Sequence, residues 1–417
     1  MSCGCHFGNT LHYVSPAHGG WGLVRIAALV PESHQLFVAP SACGRHGALG
    51  GALNGIKDRI SYLYIDESDI VSGGYEDLIP EAIDELFENL ERKPKVLMIF
   101  VTCLDDLLGT DHVQLNKRLS AIHPDVRFVT CHMNPLSENM KFPPGIAMQH
   151  NLYSLLEKNG NEENAVNFIG NHEAVNKECE LYEIMTQNGY QVNHITDFEK
   201  FDVFLTMGQS KLNIVLSPVA KYAAEQMKEN LGIEYLLAYN TYDLEEIKTF
   251  YSELSEKLEM DICIGKCEKK ARDKIKEARE VIGDYPIALD YQAVRKPFTL
   301  AKALLEYGFH VALVMADTVK GIEQEAYEYI TKYHKNVTIV NAVHPELVKN
   351  AYRGKEDYLC IGLDCGYATD SDKVVKLMLD EGLFGYYGVE KLMDEMMNAY
   401  ENGTNVKEMI EEARLII

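Results

Sequence analysis

Residues 36–55, LFVAPSACGRHGALGGALNG, hold the pattern from which the fold prediction starts. An apolar run ends at Pro40, a lone cysteine follows at Cys43, and five glycines stand between residues 44 and 55. The apolar run indicates a strand, and the glycines indicate a loop at its end that the backbone keeps open. Such a loop admits either a phosphate or another bulky group against the backbone. The pattern leaves open whether Cys43 stands beside a bound phosphate or beside another bulky group.

The same pattern of apolar runs followed by amphipathic segments continues along the whole chain. This alternation is typical of βα units and predicts an α/β fold with parallel sheets. Helices are predicted for YEDLIPEAIDELFENLERK and DLEEIKTFYSELSEKL, and strands for nine apolar runs. The predicted strands are residues 95–101, 126–130, 165–170, 202–208, 213–217, 286–290, 310–316, 337–342 and 357–363.

The chain length and its composition shifts predict three domains. A chain of 417 residues is too long for one hydrophobic core. The polar stretch EKNGNEENAVNFIGN separates a first block from a second, and the lysine-rich stretch CEKKARDKIKEAREVIGDY leads into a third. The predicted domains are residues 1–158, 159–270 and 271–417.

The charge balance excludes two classes of partner. The formal net charge is −23, with 63 acidic against 40 basic residues. Nucleic acids and anionic membranes both require clustered Lys and Arg, so neither is expected as a partner. The chain shows no membrane-length apolar run and no secretory signal pattern, so a cytoplasmic location is expected. Its ten cysteines are then expected to be reduced.

Two ligands are considered for the glycine-rich segment. The spacing of Gly44, Gly47 and Gly50 is loosely similar to a nucleotide loop, but the Gly-x-Gly start and a Walker-type lysine are missing. A metal or iron–sulfur cluster is the other ligand, because clusters are held by cysteine thiolates. Cys103 and Cys131 also follow apolar runs, and the ends of parallel strands meet at one edge of a sheet.

Three segments carry a resemblance to a known family. APSACGRHG, IDESDIVSGGYEDLIPEAI and VTCLDDLLGTDH, in this order, resemble the first domain of nitrogenase component 1 proteins. That group includes the catalytic nitrogenase subunits and relatives that reduce tetrapyrroles. Weaker similarity continues to the end of the chain. The resemblance implies three Rossmann-like domains with parallel sheets around a central cleft, and an iron–sulfur cluster at a subunit interface. It also implies a docked ATP-dependent iron–sulfur reductase that donates low-potential electrons toward a substrate in the cleft.

The resemblance assigns cluster ligands to two positions. Cys43 and Cys103 match cluster cysteines of the family, with Gly44 and Gly47 beside the first. The family's first cysteine has no counterpart in SPAHGGWGLVR, where His18 stands instead. Two cysteines from each chain of a two-fold dimer supply the four thiolates of one [4Fe–4S] cluster.

Several features of the ligand set and the assembly remain open at this stage. His18, Cys3 and Cys5 are further candidate metal ligands, and a larger iron–sulfur cluster is an alternative to [4Fe–4S]. A histidine beside two glycines is more often a surface or hydrogen-bonding residue, and this is the favoured interpretation of His18. The partner chain is either identical or a related subunit.

The ligands of the nitrogenase catalytic cofactor are missing. Ser217 stands where the family places a cysteine, the region around Met378 lacks the expected histidine, and no histidine follows His344. Reduction of dinitrogen is therefore not expected. The main prediction is a reductase subunit, and the alternative is a cluster or cofactor assembly scaffold without turnover. A third interpretation is a redox-silent binding module.

The remaining acidic and cysteine positions receive structural interpretations. Asp105 and Asp106, beside Cys103, are expected to cap the following helix, and a role as proton donors near the cluster is the alternative. Cys263 and Cys267 are expected to share one face of a helix. The other cysteines are interpreted as packing residues: Cys131, Cys179, Cys360 and Cys365. For Cys365, which lies with Asp364 at a strand end, a position facing the central cavity is the alternative.

Overall fold

The structure is a computed structural model that describes residues 11–18, 22–134, 142–158, 160, 163–349, 352–354, 356–413 and 415. By its internal contacts the chain forms two compact units. One unit comprises Met1–Gly19, Glu173–Tyr190 and Ala238–Ile417, and the other comprises Gly20–His172 and Gln191–Leu237. The three predicted domain boundaries stay a prediction.

The first sheet has the strand order β2-β1-β3-β4, with every pair parallel. Its strands are β1 Ser33–Ala39, β2 Ile60–Tyr64, β3 Val96–Thr102 and β4 Arg127–Met133. The central strands β1 and β3 are buried along their whole length, as expected for strands covered on both faces. The helices of this region are α1 Gly22–Ala27, α2 Ser41–Leu53, α3 Glu67–Ser72, α4 Tyr75–Asn89, α5 Cys103–Leu108, α6 His112–Ile122 and α7 Pro144–Tyr153.

The second sheet repeats this order as β6-β5-β7-β8, again parallel. Its strands are β5 Glu163–Ile169, β6 Gln191–Asn193, β7 Ser210–Val215 and β8 Glu234–Leu237. The helices between residues 163 and 260 are α8 Glu180–Gln187, α9 Phe201–Phe204, α10 Lys221–Leu231 and α11 Leu244–Leu258.

One predicted strand of this region is wrong. Residues 202–208 form α9 and a following 3-10 turn rather than a strand. The buried side chains here are Phe201, Phe204 and Met207, spaced by three residues, which is a helical period. The short apolar run alone did not distinguish the two periods.

The third sheet has the order β11-β10-β9-β12-β13 and is also parallel. Its strands are β9 Ile287–Asp290, β10 Val311–Ala316, β11 Thr338–Asn341, β12 Leu359–Ile361 and β13 Val374–Val375. The helices from residue 265 onward are α12 Gly265–Ile282, α13 Pro297–Glu306, α14 Gln324–Tyr333, α15 Leu363–Thr369, α16 Gly385–Asn402 and α17 Val406–Glu412.

Three parallel, helix-connected sheets confirm the predicted α/β class with Rossmann-like domains. Each sheet has one position where the chain reverses the direction in which it adds strands. These positions lie between β1 and β3, between β5 and β7, and between β9 and β12. In open α/β sheets, ligands bind beside the carboxyl ends of the two strands that flank such a reversal.

Among the described residues, no helix combines the length and the apolar composition that crossing a bilayer requires.

Candidate functional site

Cys43 and Cys103 flank the strand-order reversal of the first sheet. Cys43 is the third residue of α2, which follows β1, and Cys103 is the first residue of α5, which follows β3 directly. The two strands are parallel neighbours, with Val38 paired to Val101. Both thiols are partly exposed. The structure therefore brings the two cysteines to the carboxyl edge of adjacent strands, while their role as metal ligands stays a prediction.

Gly44, Gly47, Gly50 and Gly51 lie in α2 rather than in the predicted loop. A Cβ atom on Gly44 would lie 2.9 Å from the Tyr64 ring, and one on Gly47 would lie 2.8 Å from the Phe37 ring. The glycines thus let α2 pack closely against the aromatic side chains of the sheet. This packing is a second physical reason for glycine at these two positions. Contact of Gly44 and Gly47 with a cofactor stays a prediction.

The close approach at Gly47 leads to a stability prediction. Phe37 is fully buried and its ring stacks on Phe100 at a centroid distance of 4.7 Å, so it has no room to move away. Gly47→Ala is expected to lower the free energy of unfolding by about 1–3 kcal/mol, the usual cost of overpacking. Urea denaturation followed by circular dichroism measures the change.

A matched variant separates overpacking from the general effect of replacing a helical glycine. A Cβ atom on Gly22, in α1, would meet nothing within 4 Å. Gly22→Ala is therefore expected to change the free energy of unfolding by less than about 0.5 kcal/mol. Equal stability of the Gly47→Ala and Gly22→Ala proteins would contradict the packing explanation.

Asp105 lies two residues after Cys103 and forms a buried polar cluster. Its Oδ1 accepts a hydrogen bond of 2.7 Å from the Tyr75 hydroxyl, and its Oδ2 contacts His112 Nε2. Burial alone would raise the pKa of Asp105. The hydrogen bonds from His112 and Tyr75 outweigh burial and hold that pKa below its usual value.

Asp106 makes a second pair at the same edge of the sheet. Its Oδ1 lies 2.9 Å from His132 Nδ1, and its Oδ2 accepts a hydrogen bond from Asn134. The prediction that Asp105 and Asp106 cap a helix is wrong. Thr102 is the N-cap residue of α5, and the N-terminus of α6 is capped by Asp111.

Two histidines of this cluster were not selected from the sequence. The rings of His112 and His132 meet edge to face at a centroid distance of 5.2 Å. The available signal was their position, because His132 directly follows Cys131 at a strand end and His112 opens the helix after LLGTD. Only the cysteines of these segments were weighed as ligands.

His18 has hydrogen-bond partners in the unit that contains the third sheet. Its Nδ1 lies 2.8 Å from the Tyr291 hydroxyl and 3.6 Å from an Asp364 carboxylate oxygen. The interaction with Asp364 raises the pKa of His18 above its usual value. The structure shows the hydrogen-bonding alternative, and a role of His18 as a metal ligand stays a prediction. Cys3 and Cys5 lie outside the described residues.

The strand-order reversal of the third sheet is filled by a carboxylate of the protein itself. Asp290, at the end of β9, is fully buried. It accepts hydrogen bonds of 2.9 Å from the backbone amides of Gln292, Ala293 and Cys365. Gly362 has φ +113°, and its backbone lies so close that any Cβ atom would overlap the Asp290 carboxylate. The carboxylate therefore ties β9 to the turn after β12.

Most of the other cysteines are packing residues, as interpreted. Burial raises the pKa of the Cys131 thiol to about 12 and raises those of Cys179 and Cys365 well above the usual value. The expectation for Cys263 and Cys267 is wrong. Cys263 is exposed and precedes α12, so the two do not share a helix face.

The positions that lack cofactor ligands are also placed by the structure. Ser217 is buried just after β7, and Met378 is partly buried against the core of the third sheet. Neither a thiol nor an imidazole stands at these two positions.

Comparison with known proteins was made on the sequence and on the fold. A search of curated proteins found no match. A solved structure described as "Nitrogenase Cp1 at pH 6.5" superposes with a TM-score of 0.70 at 16% identity, over 97% of this chain and 95% of that chain. A second, "Nitrogenase Cp1 at pH 5", gives a TM-score of 0.62 at 16% identity, over 94% of this chain and 90% of that chain. These two likenesses show the fold.

The family assignment comes from a sequence model that matches most of the chain. The model described as nitrogenase component 1 type oxidoreductase matches residues 21–401. The chain therefore belongs to the nitrogenase component 1 type oxidoreductase family.

Proposed function

We propose that this chain is a reductase subunit of the component 1 type, which binds a [4Fe–4S] cluster through Cys43 and Cys103. It receives low-potential electrons from an ATP-dependent iron–sulfur reductase and delivers them to a substrate other than dinitrogen. One observation carries this proposal: two partly exposed thiols flank the strand-order reversal of the first sheet in a chain of this family.

The donor set fits an iron–sulfur cluster. Cluster ligands must be thiolates, and a thiol in an apolar interior resists deprotonation. Cys43 and Cys103 are partly exposed, whereas Cys131, Cys179 and Cys365 are buried with raised thiol pKa values. Cys263 and Cys267 are also accessible, but among the described cysteines only Cys43 and Cys103 are both accessible and placed after adjacent parallel strands. Cluster binding here would supply one-electron chemistry at low potential.

A second copy of the chain completes the ligand set. A [4Fe–4S] cluster takes four thiolates, and a two-fold dimer presents each cysteine twice. Large apolar side chains are exposed on the segments that leave the same edge of the first sheet. They are Tyr64 at the end of β2, Val71 on α3, Leu107 and Leu108 on α5, and Val113 on α6. Clustered exposed apolar residues mark interaction surfaces, which supports contact with another copy at this edge.

The electron donor and the substrate class follow from the family and from what the sequence lacks. The glycine-rich segment after β1 packs on aromatic rings and has no Walker-type lysine, so ATP hydrolysis belongs to the donor protein. Ser217 and the region of Met378 lack the thiol and imidazole ligands of the dinitrogen-reducing cofactor. An organic or tetrapyrrole substrate is therefore favoured.

Anaerobic purification of the full chain tests the cluster directly. We expect a coloured dimer with about two iron and two sulfide per chain, and a paramagnetic resonance signal after reduction, because two chains share one [4Fe–4S] cluster. A colourless protein, or a coloured monomer, would refute the shared cluster. Reoxidation of the reduced dimer by candidate substrates in a single turnover supports a reductase. Transfer of iron to an acceptor protein without reoxidation supports the scaffold alternative.

A further inference from the structure

We propose that Asp105, His112 and His132 form a binding site for a divalent first-row transition metal ion, separate from the cysteine ligands. One ligand atom from each of the three residues lies within 4.8 Å of a ligand atom from each of the other two. The group does not include Cys103. This inference goes beyond the proposed function and does not depend on it.

Hydrogen bonds around the three side chains direct one ligand atom of each toward the other two residues: Asp105 Oδ2 and His112 Nε2 contact each other, and His132 is held through its other ring nitrogen. The Tyr75 hydroxyl donates to Asp105 Oδ1, and the second carboxylate oxygen, Oδ2, faces His112 Nε2. Asp106 holds His132 through Nδ1 at 2.9 Å, so Nε2 is the nitrogen that remains for a metal. A carboxylate on the far nitrogen of a histidine is the usual support of a metal-binding imidazole.

Three separate elements of the fold carry these side chains. Asp105 lies on α5, His112 on α6 and His132 at the end of β4, so three segments converge at one edge of the sheet. Asp105 is 1% exposed, whereas the His132 side chain is 42% exposed. The buried carboxylate provides a rigid anchor, and the exposed histidine provides a route for the ion to enter.

The distances require only a small adjustment to close around an ion. Ligands about 2.1 Å from a tetrahedral ion lie roughly 3.4 Å apart, by the usual zinc–ligand distances. Ion binding therefore requires the exposed His132 ring to move closer to the other two ligand atoms. An ion between Asp105 Oδ2 and His112 Nε2 would also move these two atoms apart. The three ligand atoms would then approach the equal separations that a tetrahedral ion requires.

The ligand types select the class of ion. Two imidazole nitrogens and one carboxylate oxygen suit Zn²⁺, Fe²⁺ or Co²⁺, whereas Mg²⁺ and Ca²⁺ prefer all-oxygen ligands. Three protein ligands leave a fourth position open, as in catalytic zinc sites. A water or a substrate atom would occupy that position.

Cobalt titration of the full chain carrying Cys43→Ala tests the site without interference from a coloured cluster. We expect one Co²⁺ per chain, with visible ligand-field bands and no near-ultraviolet thiolate charge-transfer band. Adding His112→Gln or His132→Gln is expected to raise the Kd for Co²⁺ at least about tenfold, since even loss of a supporting residue costs 10–100-fold. Asp106→Asn is expected to raise the Kd for Co²⁺ about tenfold, because Asp106 supports the His132 ring through its hydrogen bond to Nδ1.

A histidine–carboxylate pair that belongs to no three-ligand group among the described residues provides the matched control. His123 Nε2 lies 2.9 Å from Asp84 Oδ1 at the far end of α6. His123→Gln is expected to leave the Kd unchanged. Because His132 is exposed, His132→Gln is expected to keep the fold even if changes at buried Asp105 do not. The proposal is overturned if Co²⁺ does not bind stoichiometrically, or if its spectrum shows a thiolate charge-transfer band. It is also overturned if adding His132→Gln to the Cys43→Ala protein leaves the Kd for Co²⁺ unchanged.

Discussion

Cys103→Ala is expected to abolish the iron–sulfur content of the anaerobically purified dimer, with iron and sulfide falling to background and the paramagnetic resonance signal lost. In a two-fold dimer one substitution removes two of the four thiolates, because each chain contributes Cys43 and Cys103 once. Half of the ligand set is then missing, and the remaining pair does not hold a cubane cluster. Cys43→Ala is expected to have the same effect, since both cysteines contribute equally.

A buried cysteine at the next strand end provides the control for this prediction. Cys131 lies in β4, the neighbour of β3, and is 1% exposed, with its Sγ 4.0 Å from Met98 Sδ. Burial raises the pKa of its thiol to about 12, so it is not a thiolate at neutral pH. Cys131→Ala is expected to keep the full iron content. Retention of the full signal in either Cys43→Ala or Cys103→Ala would remove that residue from the ligand set.

The α/β class was predictable because burial on both faces makes central parallel strands continuously apolar. The runs that became β3 and β10 show this, and both were predicted within one residue of their bounds. The segment 202–208 shows the limit of this signal. A buried helix of four residues and a buried strand have the same apolar composition, and only the neighbouring elements distinguish them.

The position of the candidate site was predictable, but the reason for its glycines was not. Strand-end cysteines meet at one sheet edge because parallel strands share a direction, so Cys43 and Cys103 followed from the pattern. Gly44 and Gly47 depend on which side chains β1 and β2 present to α2, and this is tertiary information. The Asp105, His112 and His132 group likewise depends on the convergence of three separate segments.

A partly buried carboxylate in the unit of the third sheet accepts hydrogen bonds from the N-terminus of α16. Glu180, the first residue of α8, accepts a 2.7 Å hydrogen bond from the Tyr386 amide and a 3.0 Å bond from the Tyr387 amide. These amides belong to the first turn of α16, whose N-cap residue provides no side-chain hydrogen bond. The buried Tyr251 hydroxyl also donates to Glu180, at 2.6 Å. Gly385 has φ +61°, and a Cβ atom there would overlap Glu180.

Glu180→Ala is expected to lower the stability of α16 by about 2–3 kcal/mol, because it leaves the Tyr251 hydroxyl and two helix-terminal amides without their charged acceptor. Hydrogen exchange of the α16 amides measures this local opening free energy, which remains well defined in a chain of several domains. Glu180→Gln keeps one acceptor oxygen but turns an amide group toward a backbone N–H, so an intermediate loss is expected.

Glu183, exposed on the same helix and bonded to Gln187, provides the control, and Glu183→Ala is expected to change the opening free energy of α16 by less than about 0.5 kcal/mol. Equal losses for Glu180→Ala and Glu183→Ala would show that the carboxylate does not cap α16.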